Sequence, residues 1–148
     1  MTYQGASLTI IRDCLFEDNR VSGFAEGGAL IVSQRSGAVA IVDSVFRRNS
    51  CQNNGGAIEA YQNAGALAIR GCTFLANTAA MSPPERCLVA EQSNDAMGGA
   101  LDLNNNVESV VGNCSFMSNS ACVRCPLAPA AIASMRLATV QGRSAVSV

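Results

Sequence analysis

The chain has 148 residues, a net charge of −1 and only 14% charged residues, a length that fits one domain or a piece of a longer array. That balance gives no electrostatic footprint for nucleic acid, and no apolar run approaches the roughly 18 residues of a membrane helix. Histidine is absent, which removes the usual neutral-pH base, the Ser–His and Cys–His nucleophile pairs and imidazole metal sites.

In chain order, two short marks recur. Phe-x-x-Asn stands at Phe16/Asn19, Phe46/Asn49, Phe74/Asn77 and Phe116/Asn119, and Gly-Gly-Ala-aliphatic begins at Gly27-Gly28, Gly55-Gly56 and Gly98-Gly99. From the first Gly to the next Phe is 19, 19 and 18 residues, whereas from Asn to the next Gly-Gly is 8, 6 and 21. A fixed block joined by variable connections marks a solenoid. The segment Gly55 to Asn77 is its clearest copy.

Within each block the pattern has period 2. Gly28/Leu30/Val32, Gly56/Ile58/Ala60 and Gly99/Leu101/Leu103 form an inward set, with Ile31, Glu59 and Asp102 on the opposite, outward face. A second strand places Thr9 and Ile11, Val39 and Ile41, Leu67 and Ile69, and Ser109 and Val111 inward. Asp13, Asp43, Gly71 and Asn113 then supply a turn, and a third strand carries Cys14, Ser44, Cys72 or Cys114 inward two residues before the Phe. Three short strands per repeat bury nothing alone; stacked in parallel at roughly 4.8 Å they close a continuous core. The inward Gly fits packing that leaves no room for a Cβ, and the Asn residues fit a ladder of stacked corner amides.

The connection 78–97 interrupts the rhythm as an inserted corner loop; long insertions on one corner of a solenoid commonly carry binding, and plain drift in length fits equally well. After Asn119 both marks are lost. Residues 122–148 read as a degenerate fifth coil or a frayed end, with Pro129–Ile132 in the Gly-Gly-Ala-Ile place and Val140–Val146 as a worn second half. The whole chain, 1–148, reads as one β-solenoid domain. It begins inside a repeat, shows no signal peptide and ends without a recognisable cap, the expectation being a fragment of a longer solenoid.

The paired tetrapeptides, GGAL, GGAI, GGAL and FEDN, FRRN, FLAN, FMSN, resemble the repeats of the polymorphic outer membrane protein family. The resemblance covers about Ser7 to Asn119. It implies a right-handed parallel β-helix of about four regular coils plus the degenerate fifth, displayed at the cell surface as an autotransporter passenger and linked to adhesion. No C-terminal barrel is visible in the sequence.

Candidate chemistry is sparse. Glu59 and Asp102 hold equivalent outward positions on successive repeats, where β-helix polysaccharide lyases and hydrolases place carboxylates for acid–base work or metal binding; a solvated face is the plainer reading, and no basic residue stands at a matching offset. Cys14, Cys72 and Cys114 fall in the core column and are expected small, buried, reduced and inert. Cys51, Cys87, Cys122 and Cys125 all follow an FxxN mark, on one edge of the solenoid. They fit two disulfides in three connectivities, an all-cysteine zinc site, for which the single CxxC is one short of the usual pattern, or free thiols; the compartment argument favours bridges, which would imply an oxidising, extracellular setting. Asn113-Cys114-Ser115 satisfies the glycosylation triplet, but its Cys is core in this register. No phosphate-binding glycine loop exists, and no catalytic, metal or cofactor residue is assigned. The resulting expectation is a non-enzymatic surface or extracellular scaffold whose corner loops bind a protein or glycan ligand, or which packs against further coils or partner chains; the alternative is a fragment of a carbohydrate-active β-helix enzyme.

Overall fold

The computed structural model describes residues 2–3, 8–23, 25–33, 37–61, 65–80, 98–104, 108–122, 135–137 and 144–147. The chain winds through successive rungs of short strands. The first rung holds β1 (Thr2–Tyr3), β2 (Leu8–Arg12) and β3 (Leu15–Glu17). The second holds β4 (Leu30–Val32), β5 (Ala38–Val42), β6 (Val45–Arg47) and β7 (Ser50–Cys51). The third holds β8 (Ile58–Tyr61), β9 (Ala66–Arg70), β10 (Thr73–Leu75) and β11 (Thr78–Ala80). The fourth holds β12 (Leu101–Asn104), β13 (Glu108–Gly112), β14 (Ser115–Met117) and β15 (Ser120–Cys122), and β16 (Met135–Leu137) and β17 (Ser144–Ser147) follow.

Every pairing is parallel and joins equivalent strands of neighbouring rungs. The sheets run β1-β4-β8-β12-β16, β2-β5-β9-β13-β17, β3-β6-β10-β14 and β7-β11-β15. This is a parallel β-helix. The register agrees with the sequence columns: Phe16 pairs Phe46, Phe46 pairs Phe74 and Phe74 pairs Phe116. In the last rung, however, Met135 and not Ile132 pairs Leu101, while Val146 pairs Val111. The worn copy is thus offset by three residues from the placement of Pro129–Ile132, which lies outside the described residues.

Each full rung has four strands and not the expected three, because the two or three residues after the FxxN mark form β7, β11 and β15. Strands this short carry no period-2 signal. Their position explains the second Gly of each pair: a Cβ on Gly56 would lie 2.0 Å from the Gly99 carbonyl oxygen and 2.6 Å from the Thr78 carbonyl carbon. The fourth strand runs against the glycine backbone, so the core pinches there. The first Gly has a different task. Gly27, Gly55 and Gly98 have φ of 61°, 65° and 59°, a left-handed turn into the strand.

The interior is a set of columns. Phe46, Phe74, Ile41, Ile58, Leu67, Ile69 and Leu101 are at most 1% exposed. The Phe rings stack with centroids 4.7, 5.1 and 4.8 Å apart and planes within 7°. At the corner after each Phe, Asn19 Nδ2 donates to Asn49 Oδ1, Asn49 Nδ2 to Asn77 Oδ1 and Asn77 Nδ2 to Asn119 Oδ1, each at 2.9 Å. The same oxygens accept the neighbouring Asn backbone N–H, and Nδ2 also donates to the Phe carbonyl one rung back. One amide per rung thus satisfies the buried corner backbone. Asp13, Asp43, Gly71 and Asn113 all have φ between 48° and 64°, so the turn column is left-handed throughout.

Candidate functional site

The carboxylate ladder is in register but not solvated. Glu59 pairs Ile31 on one side and Asp102 on the other, and both acids are 2% exposed. The face expected to be open is covered; Glu26 lies close enough for its charge to act on Glu59, and Glu59 in turn acts on the Cys51 thiol. Burial, then the charge of Asp102, then Glu26, push the Glu59 carboxyl up to about 9. It also shares a hydrogen bond with Asp102, and its Oε2 has no hydrogen-bond partner among the described residues. A neutral acid beside a carboxylate is the arrangement this geometry supports. The next register position on the Asp102 side is Arg136. Sequence reasoning found no basic residue at a matching offset, because the three-residue slip of the last coil hid it.

The cysteines separate differently than expected. Cys51 lies in β7, not on a loop edge: it is a free thiol, 3% exposed, packed with Ala79 and Val21. Its Sγ donates to the Asn54 carbonyl oxygen at 3.1 Å, and burial pushes its thiol up to about 11. Cys51 pairs Ala79, whereas Cys122 pairs Ala80, so these two hold different register positions two rungs apart. Cys87 and Cys125 lie outside the described residues. In the interior column, Cys72 and Cys114 are buried free thiols as expected, but Cys14 is exposed. No described rung stacks on its open side.

A surface cluster went unread in the sequence. The middle residues of two successive FxxN marks are Glu17-Asp18 and Arg47-Arg48. Arg47 Nη2 donates to Glu17 Oε2 at 2.7 Å, Arg48 Nε and Nη2 donate to Asp18 at 2.8 and 2.9 Å, and Arg48 also reaches Glu17. Hydrogen bonds from Arg47 and Arg48 hold the Glu17 and Asp18 carboxyls below their ordinary values. The signal was present: opposite charges at one register position of neighbouring repeats. These are exposed pairs, and such pairs stabilise weakly. Asp43 and Gly71 occupy turns, and the triplet residue Asn113 is likewise in the left-handed turn, with Cys114 buried beneath it.

Among the described residues no group of three or more His, Cys, Asp or Glu side chains is arranged to hold a metal ion. No helix among them is long and apolar enough to cross a membrane. Residues 43–61, which span one FxxN mark and one Gly-Gly-Ala-Ile mark, match the family model of the Chlamydia polymorphic membrane protein repeat. That family is one of surface, outer-membrane-associated proteins. No curated protein and no solved structure matches the chain.

Proposed function

From a chain that carries a polymorphic membrane protein repeat within a parallel β-helix, we propose a non-enzymatic surface scaffold that presents its connections for adhesion. The observation that carries this reading is how completely the repeated residues are used by the fold. Phe, Asn and both glycines of each mark are consumed by stacking, laddering, turning and close approach. What varies between rungs is the connection after each Asn, with 20 residues in the third repeat against 7 and 5 in the first two. Variation placed on one corner of a rigid rod suits recognition. The contact surface would centre on 78–97 and the cysteine-bearing turns, its ligand a protein or glycan on another surface.

The burial of Glu59 and Asp102 supports the same reading. At 2% exposure both carboxylates are covered, which favours a place in the packing of the rungs over work on a glycosidic bond.

The test is binding of the immobilised chain to cultured cells and to a glycan array, beside a variant with 81–96 replaced by a short Ser/Gly connection. Binding that drops at least tenfold in the variant, with unchanged far-ultraviolet circular dichroism, is the expected result. Release of reducing sugar from a polysaccharide by the chain, abolished by Glu59→Ala and Asp102→Ala, would overturn it.

A further inference from the structure

We propose that Cys72 and Cys114 form an interior dithiol that a small peroxide converts into a rung-to-rung disulfide. The two occupy the same turn position on neighbouring rungs: Thr73 N–H donates to Ser44 O and Ser115 N–H to Cys72 O, while the following strands pair Thr73 with Ser115. Cys72 N–H donates to Cys114 Sγ at 3.4 Å, so the Cys114 sulfur lies directly against the Cys72 backbone. Rungs about 4.8 Å apart fall inside the Cα separation of about 4.4 to 6.8 Å that a disulfide spans. Both sulfurs are free and buried, at 1% and 7% exposure.

The column singles out this pair. Its four members are Cys14, Ser44, Cys72 and Cys114, and the serine separates Cys14 from the other two. Cys14 N–H donates to Ser44 Oγ at 3.2 Å, as Cys72 N–H does to Cys114 Sγ. A serine therefore fills this place without disturbing the stack. Only between the third and fourth rungs do two sulfurs meet among the described residues.

The two thiols are unequal. The Cys72 side chain and the Cys72 N–H hold the Cys114 thiol below its ordinary value, while the Cys114 side chain and burial raise the Cys72 thiol, whose Sγ donates to the Arg70 carbonyl oxygen at 3.3 Å. The N–H donated to Cys114 Sγ at 3.4 Å favours a thiolate there, which makes Cys114 the nucleophile and Cys72 the resolving thiol. The Cys114 thiol releases its proton, and the thiolate attacks one oxygen of hydrogen peroxide. The O–O bond breaks, and the departing hydroxide takes up a proton to become water. Cys72 Sγ then attacks the sulfenic sulfur of Cys114; the S–S bond forms, the S–O bond breaks, and the hydroxyl leaves with the Cys72 proton as a second water. Two thiols lose two electrons and one peroxide becomes two waters. Burial favours an oxidant this small over a bulky disulfide.

The bond would close a 42-residue separation that contains the whole 78–97 connection. It would staple the two neighbouring rungs joined by the 20-residue connection 78–97, where loop closure is costliest.

The experiment treats the intact chain with hydrogen peroxide, quenches, unfolds, alkylates free thiols and maps peptides. Expected are a Cys72–Cys114 linked peptide and a thermal midpoint raised by roughly 10 °C, both reversed by dithiothreitol. In Cys72→Ser, Cys114 should stop at a sulfenic acid captured by dimedone; in Cys114→Ser, Cys72 should stay reduced. If either variant fails to fold, the wild-type time course decides: linked peptide and midpoint must rise together. Cys72 and Cys114 both alkylating after peroxide, or Cys114 bridging to another cysteine, would overturn the proposal.

Discussion

Asn77 holds Asn49 and Asn119 in one hydrogen-bonded line. Its Oδ1 accepts Asn49 Nδ2 at 2.9 Å and Asn49 N–H at 3.0 Å, while its Nδ2 donates to Asn119 Oδ1 and to Phe46 O, each at 2.9 Å. The residue has no exposure at all. Asn77→Ala strands donors and acceptors on the two flanking rungs and should cost about 3 to 5 kcal/mol, since each buried orphan costs about 1 to 3. Asn19→Ala, at the exposed end, should cost about 1 kcal/mol or less. Urea denaturation of both variants checks the ranking; equal losses would deny the ladder its role.

The glycines predict opposite outcomes. In Gly56→Ala the new methyl would meet only backbone, the Gly99 oxygen and Thr78, and backbone of a stacked sheet cannot step aside. A loss of more than about 3 kcal/mol, or failure to fold, is expected. At Gly71 a Cβ would meet the Asp43 Oδ1 tip, a movable side chain, and Asp13, Asp43 and Asn113 already accept the same left-handed turn. Gly71→Asn should change stability by less than about 1 kcal/mol. Thermal midpoints of the two variants compare directly.

Phe46 is unexposed and stacks on rings both above and below. Phe46→Ala should cost about 3 to 5 kcal/mol, more than the same change at half-buried Phe16, which has one ring neighbour. Guanidinium melts of the two variants measure the difference.

Glu59 gives the stack a pH dependence. Its carboxyl rises from an ordinary 4.5 to about 9, chiefly through burial and then through Asp102 and Glu26. The folded chain keeps a proton there that the unfolded chain releases above about 4.5. Stability is therefore full at and below that pH, declines as pH rises, and levels off above about 9. The slope has a ceiling of about 1.4 kcal/mol per pH unit. Glu59→Gln, neutral at every pH, should flatten the decline in urea midpoint between pH 5 and 9. An unchanged slope would put the proton elsewhere.

The parts of the fold that a reader can take from the sequence are those with fixed spacing. Phe16, Phe46, Phe74 and Phe116, the Asn ladder, the glycine pairs and the aliphatic columns repeat at constant offsets, and parallel stacking turns offset into contact. The hidden parts escape that spacing. The burial of Glu59 could not be read because period 2 puts it on the face opposite the aliphatic core, where a carboxylate reads as solvated, while the structure leaves it 2% exposed. Arg136 was missed because its coil has lost both marks and slipped by three. The Glu17-Asp18 and Arg47-Arg48 cluster was legible in principle, had the variable positions of FxxN been aligned as columns.

The amides along the corner all point the same way: every side-chain oxygen faces the lower-numbered Asn and every NH₂ the higher-numbered one. Rotating one of them in place would set oxygen against oxygen on one side and hydrogen against hydrogen on the other. A flip is therefore penalised at two junctions at once, and the row behaves as a single aligned dipole chain in which each member polarises the next. Orientation at one corner is settled collectively by the others.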